Sequence, residues 1–236
     1  HAVDSEIFKV HTQAQIKELR ASSLKPEDRD KVIFFWNNRN ARRKQSGSLL
    51  FWFKKFLDKV GHDKAALIMH TDPKDQHGQD LLHIVEHLGL TDQNQVMFST
   101  EKVDLKNLAA VYNMVDCTIN VANMTGGLQE QIRSGSDLFG IPLFPDSKAV
   151  IGSQDVPYIY EDRLSEAQVV SALEKMFVMT NEDRKALGAK GREHVMKNYN
   201  FETFNKQWVD IMTEIHEQEG SWDTRANYNG IRLLEV

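Results

Sequence analysis

A single cysteine, Cys117, among 236 residues excludes an intrachain disulfide. Chains with so little cysteine belong to reducing compartments, so a cytoplasmic location is expected. Cys117 lies in an apolar run and reads as a small core residue. No apolar run approaches the roughly 18 residues of a membrane span, and no secretory leader is visible. An excess of positive charge is missing too. A net charge of -5 and a pI near 6.0 exclude the broadly basic face of a nucleic-acid binder. The chain has no internal repeats and no low-complexity tracts, and it starts at His1 rather than Met, as a fragment or processed product would.

What is present is ordinary apolar content, 41%, enough for a core without covalent staples. Four short apolar runs, Val32–Trp36, Ala65–His70, Gln95–Phe98 and Cys117–Val121, read as strands. Their hydrophobicity is continuous rather than alternating, as in a parallel sheet covered on both faces. Helical patterns lie between them. Leu49, Leu50, Phe53, Phe56, Leu57 and Val60 repeat at helical spacing before Gly61. Leu81, Leu82, Val85 and Leu88 do so before Gly89, and Asp104 caps a third helix carrying Leu105, Leu108, Ala109, Tyr112 and Val115. The alternation predicts an α/β fold, a Rossmann-like parallel sheet with helices on both faces. From residue 160 the pattern turns helical, with Thr180 as a cap and Phe201, Phe204, Trp208, Ile211, Met212 and Ile215 on one face of a last long helix. One domain over 1–216 and a tail over 217–236 are expected.

Asn37 to Lys44 follow the first strand directly, with Arg39, Arg42, Arg43 and Lys44 as four cations ahead of the next helix. A strand that ends in a cationic turn and opens a helix suits an anion. Free N–H groups and the helix dipole point at the guest, and the side chains supply full charge. With the rest of the chain acidic, the guest is small, a phosphate or diphosphate.

Several landmarks carry a family likeness. His1-Ala2-Val3-Asp4-Ser5-Glu6-Ile7-Phe8 is similar to an "H-G-V-D-x-x-x-F" opening. Arg39 and Lys44 match "G-R-x-x-x-x-K-G", with Asn38 and Gln45 in place of the glycines. Leu108, Tyr112 and Asp116 match "L-x-x-x-Y-x-x-A-D", and Gly126-Gly127 with Glu130 match "G-G-x-x-E". Gly191-Arg192 and Tyr199-Asn200-Phe201 are similar to the closing helices. Together they resemble the C-terminal, nucleotide-sugar-binding half of the retaining GT-B glycosyltransferases of the family 1-like group. The resemblance implies a nucleotide-diphosphate sugar as substrate and no cofactor or metal. Arg39 and Lys44 would grip the diphosphate, and Gly126, Gly127 and Glu130 would form a donor-site loop. Thr71, Asp72, Val96, Met97, Phe98 and Ser99 would lie near the base. A carbohydrate or other acceptor would be held by an N-terminal half that this chain lacks.

The chain also departs from that pattern. Val121-Ala122 runs directly into Asn123-Met124-Thr125-Gly126-Gly127, where the family has a further βα unit of about 20 residues. That unit would carry an acid facing the donor sugar and a Glu for its ribose. The segment after Ala122 is therefore either deleted or omitted, and no catalytic residue is assigned. A binding or protein-interaction module without turnover and a sugar-nucleotide epimerase are the alternatives. His83, Glu86 and His87 fit an inverted zinc-protease string, but no third ligand is evident.

Overall fold

The computed structural model describes residues 2–121, 127–151, 154 and 157–221, except the side chain of Leu128. Elements run in the order α1 (Gln13–Ser23), β1 (Val32–Asn37), α2 (Ser46–Val60), β2 (Ala65–His70), α3 (Leu81–His87), β3 (Val96–Ser99), α4 (Leu105–Met114) and β4 (Cys117–Ile119). Then come α5 (Gly127–Ile132), two short hairpins, β5–β6 (Arg133–Ser134, Asp137–Leu138) and β7–β8 (Ser147–Ile151, Ile159–Arg163), and α6 (Glu166–Val178), α7 (Asn181–Asn198) and α8 (Phe201–Glu219).

The four predicted strands form one parallel sheet in the order β3-β2-β1-β4. Continuous apolar runs arise because each strand is covered twice. Phe34 and Trp36 of β1 and Leu67 and Met69 of β2 pack with Leu49, Phe53 and Phe56 of α2 and Val169 and Leu173 of α6. Ile33, Phe35, Ala66 and Ile68 face the other way, against Leu24 and α4's Met114. Each fully buried side chain of this size contributes about 1.5–3 kcal/mol.

The Leu108, Tyr112, Asp116 pattern is structural here. Leu108 packs on the second core, and Tyr112 meets the rings of Phe35 and Phe8 edge-on at 5.3 and 6.3 Å. The Asp116 carboxylate accepts from the Ile33 amide at 2.8 Å and pairs with Arg20 at 2.5 Å. It thereby ties α1, which the sequence reading does not include, to the edge of β1. Asp116→Asn is expected to lower stability by about 1–2 kcal/mol, as a charge-assisted bond becomes a neutral one. Urea denaturation measures it, and an unchanged midpoint would remove Asp116 from this role.

Among the described residues β4 is an edge strand, and no fifth strand stands beside it. A cavity of about 530 Å³ occupies that flank, lined by Ile119, Asn120, Ile132, Phe139, Leu173 and Leu187 among others. The stretch expected to lack a βα unit falls on 122–126, outside the described residues. Cys117 lines the same cavity, and burial, with the Asp116 charge beside it, pushes its thiol up to about 12, so it stays protonated and inert. α8 runs to Glu219, and Trp208, Ile211, Met212 and Ile215 on its apolar face are about half exposed or more.

Candidate functional site at the carboxyl ends of the strands

Strands β1, β2 and β3 end together at Asn37, His70 and Ser99. The turn after β1 and the loop after β2 are bolted to each other by Asn40, which is fully buried. Its Nδ2 donates to the carbonyls of Gln79 at 2.7 Å and Pro73 at 3.4 Å, and its Oδ1 accepts from Ser46 Oγ at 2.7 Å. Gln79 returns the contact, its Oε1 accepting from the Gly47 amide at 3.0 Å in the first turn of α2. Both glycines in this joint are required by close approach. A Cβ on Gly47 would strike the Gln79 amide, and one on Gly78 would strike the backbone of Asn40.

Arg39 leaves this joint exposed but engaged. Its Nε and Nη2 hold Asp75 at 2.6 and 3.1 Å, and His77 Nδ1 lies 2.8 Å from Nη2. The guanidinium, helped by the His77 amide at 2.9 Å, holds the Asp75 carboxyl well below the usual carboxylate range. The pairing in turn raises Arg39. Nη1 of Arg39 has no partner among the described residues.

Lys44 closes a short 3-10 turn, Arg42–Lys44. It is half-buried, and its ammonium has no carboxylate partner among the described residues. Burial, and then the charge of Arg43, lower its pKa from the usual lysine value. Gln45, which stands where the family pattern has glycine, adopts φ 52 and ψ 33, the left-handed region. A residue with a Cβ is held there at roughly 1–2 kcal/mol. Gln45 also makes no side-chain capping bond to α2, and among the described residues it is the Gln79 side chain that accepts from a first-turn amide, that of Gly47.

The other expected residues divide. Thr71 is buried at the end of β2, its amide bonded to Ser99 O at 3.0 Å and its Oγ1 buried without a partner among the described residues. Ser99 Oγ meets His70 Nδ1 at 2.9 Å. Asp72 accepts from the Lys74 amide at 2.9 Å. Phe98 and Ser99 reach the carboxyl end of β3, whereas Val96 and Met97 lie lower and pack on opposite faces of the sheet. Gly126 lies outside the described residues, and Gly127 opens α5. Glu130 is exposed on α5, with its carbonyl accepting from His194 Nε2 and Tyr199 Oη at 2.7 and 3.1 Å. No described contact joins it to the cationic turn. Among the described residues no group of three or more His, Cys, Asp or Glu is placed to hold a metal ion, and no helix is long and apolar enough to cross a membrane.

Asn40, Gln79 and Asp75 were not singled out in the sequence. Their signal was faint, an Asn inside the cationic turn and a Pro73-to-Gln79 loop rich in turn residues.

No protein-family model matches the chain, and no curated protein matches it. Solved structures do. Sucrose-phosphate synthase from Thermosynechococcus elongatus superposes with a TM-score of 0.66 at 17% identity, over 92% of this chain and 51% of that one. The C-terminal domain of a glycosyl transferase group 1 family protein from Francisella tularensis gives 0.53 at 16%, over 84% of this chain and 99% of that domain. The E. coli trehalose-6-phosphate protein bound with UDP-2-fluoro glucose gives 0.58 at 14%, over 91% and 51%. The chain thus spans about half the length of the larger structures it matches. At these identities the likeness shows the fold, that of the C-terminal domain of a GT-B protein.

Proposed function

We propose that this chain is the donor-binding half of a glycosyltransferase, holding the diphosphate of a nucleotide sugar at the turn after β1. The observation that carries the reading is Lys44, a half-buried ammonium with no anion opposite it among the described residues, at the start of a helix and in the same turn as Arg39. A cation drawn partly out of water without a partner is unfavourable until an anion arrives. The carboxyl ends of parallel strands are where open α/β sheets take their ligands. Retaining transfer fits this arrangement, since fixed cations stabilise a departing diphosphate. The acceptor would then be held by another domain.

Binding without turnover is the second reading, and the edge position of β4 favours it. The resemblance puts the acid and the ribose-binding Glu on a βα unit beyond that strand. A sugar-nucleotide epimerase would release free sugar with no acceptor present.

Calorimetric titration with UDP, and a turnover assay with UDP-glucose, separate these readings. Micromolar binding is expected, and its absence at millimolar concentration overturns the donor site. The pH profile checks Lys44. Its pKa is lowered, and the charged form is the one that binds, so affinity is full at neutral pH. It falls as pH rises through a value below the ordinary lysine range. In Lys44→Arg that fall should vanish, because arginine stays charged.

A further inference from the structure

A second cavity, about 460 Å³, opens between the cationic turn and the β7–β8 hairpin. Arg42 and Arg43 form one wall and Arg163 the other. Among the described lining residues the one carboxylate, Glu161, is 2.9 Å from the Arg163 guanidinium. Among the described lining residues, three guanidiniums against one carboxylate leave an excess of two positive charges, and Arg42 and Arg43 have no acidic partner there. Ile151 and Ile159 supply an apolar wall.

Gln45 gives the independent sign of a ligand. The residue is 7% exposed and lines this cavity, and no hydrogen bond among the described residues ties up its side-chain amide, which is open to the cavity rather than sealed in the protein. An amide that faces a cavity and is unbonded within the protein offers both its donors and its acceptor to whatever fills the cavity. This one is also carried on a left-handed backbone, where glycine would be unstrained.

We propose that this cavity is an anion site separate from the Arg39 and Lys44 grip, taking a small organic phosphate monoester. Neither Arg39 nor Lys44 lines it; His77, which touches Arg39, stands at the boundary. The phosphate, near -2 in charge, matches the excess. Guanidinium forks and the Gln45 amide donate to its oxygens, and the isoleucines meet the organic body. The inference does not rest on the donor reading.

The test is calorimetry at low salt on the whole chain, with phenyl phosphate and inorganic phosphate as probes. One equivalent of phenyl phosphate is expected to bind, about tenfold tighter than inorganic phosphate because of the apolar wall. Equal affinities would keep the site and assign it to free phosphate. Gln45→Gly should weaken binding about tenfold and R42A/R43A about a hundredfold. The glycine variant relieves the left-handed backbone, so misfolding does not explain its loss, and circular dichroism checks this. Lys44→Ala should weaken phenyl phosphate binding far less than R42A/R43A does, because Lys44 does not line the cavity and reaches it only through its charge beside Arg43. No binding of either probe at millimolar concentration, no effect of Gln45→Gly, or an equal loss in Lys44→Ala overturns the proposal. None of these outcomes decides the UDP result, so the two readings fail separately.

Discussion

Replacing Arg39 and Lys44 together by alanine is expected to weaken UDP binding about a hundredfold or more, with the fold intact. Each side chain offers a charge-assisted hydrogen bond to a diphosphate, and such bonds are about twice as strong as neutral ones. The two contributions are not equal in kind. Lys44 is half-buried and has no carboxylate partner among the described residues, so its charge is available to a ligand. Arg39 is exposed and already holds Asp75, so part of its charge is spent on that carboxylate. Removing Arg39 alone therefore also uncovers Asp75 and sets a carboxylate near the diphosphate, where like charge repels. Asp75→Asn moves the other way. It frees the guanidinium and removes one negative charge, so UDP binding should tighten. Calorimetry on the three variants is the check. Unchanged affinity in the double variant would take the diphosphate away from this turn, and weaker binding in Asp75→Asn would mean that Asp75 positions Arg39 rather than competes for it.

The sheet was legible because burial on both faces leaves an unbroken apolar record. Val32–Trp36 and Ala65–His70 were read almost to the residue. Caps at Asp104 and Thr180 were readable for a similar reason, since only short polar side chains satisfy the free amides of a first turn, and both do so here. What failed to show was structure without an apolar stripe. Helix α1 buries none of its side chains, and its one local signal is the Thr12–Gln15 capping box. The β7–β8 hairpin exposes Val150, Tyr158 and Tyr160, so it leaves no alternation for a core to explain. At the site, the cationic turn was evident from local sequence. Its partners were not, because Asp75, Gln79 and Arg163 are brought in from 30 to 120 residues away in the order of chain, by the parallel crossovers and the hairpin. Gln45 was noted only as a departure from glycine. Its left-handed backbone shows that the position still requires the conformation for which glycine is suited, while the side chain has been kept.

Asn40→Ala is expected to lower stability by about 3 kcal/mol and to abolish anion binding with it. A neutral buried hydrogen bond contributes about 1 kcal/mol net, and the fully buried Asn40 side chain makes two short ones and two long ones of 3.4 Å, to Pro73 O and from the Gln79 amide. Truncation leaves the Gln79 carbonyl and the Ser46 hydroxyl facing a small cavity, and water must enter to satisfy them. The loss is not confined to energy. Asn40 fixes the distance between the turn that carries Arg39 and Lys44 and the loop that carries Asp75 and Gln79. Without it the first turn of α2 loses its alignment with Gln79, and the cations lose their common frame. Asn40→Asp distinguishes shape from chemistry. The side chain fits, but an ionised oxygen replaces the Nδ2 donor opposite two carbonyls, so at pH 7 this variant should be no more stable than Asn40→Ala. An Asp raised in this way regains a donor when protonated, so the deficit should shrink as pH falls through its folded-state pKa, which lies above the ordinary aspartate value. Urea midpoints at pH 7 and pH 5 read the sign. An Asn40→Asp variant as stable as the wild type at pH 7 would mean that the other ties between the loops, from Arg42 N–H to His77 O and from Arg39 to Asp75, hold the joint without the Asn40 donor.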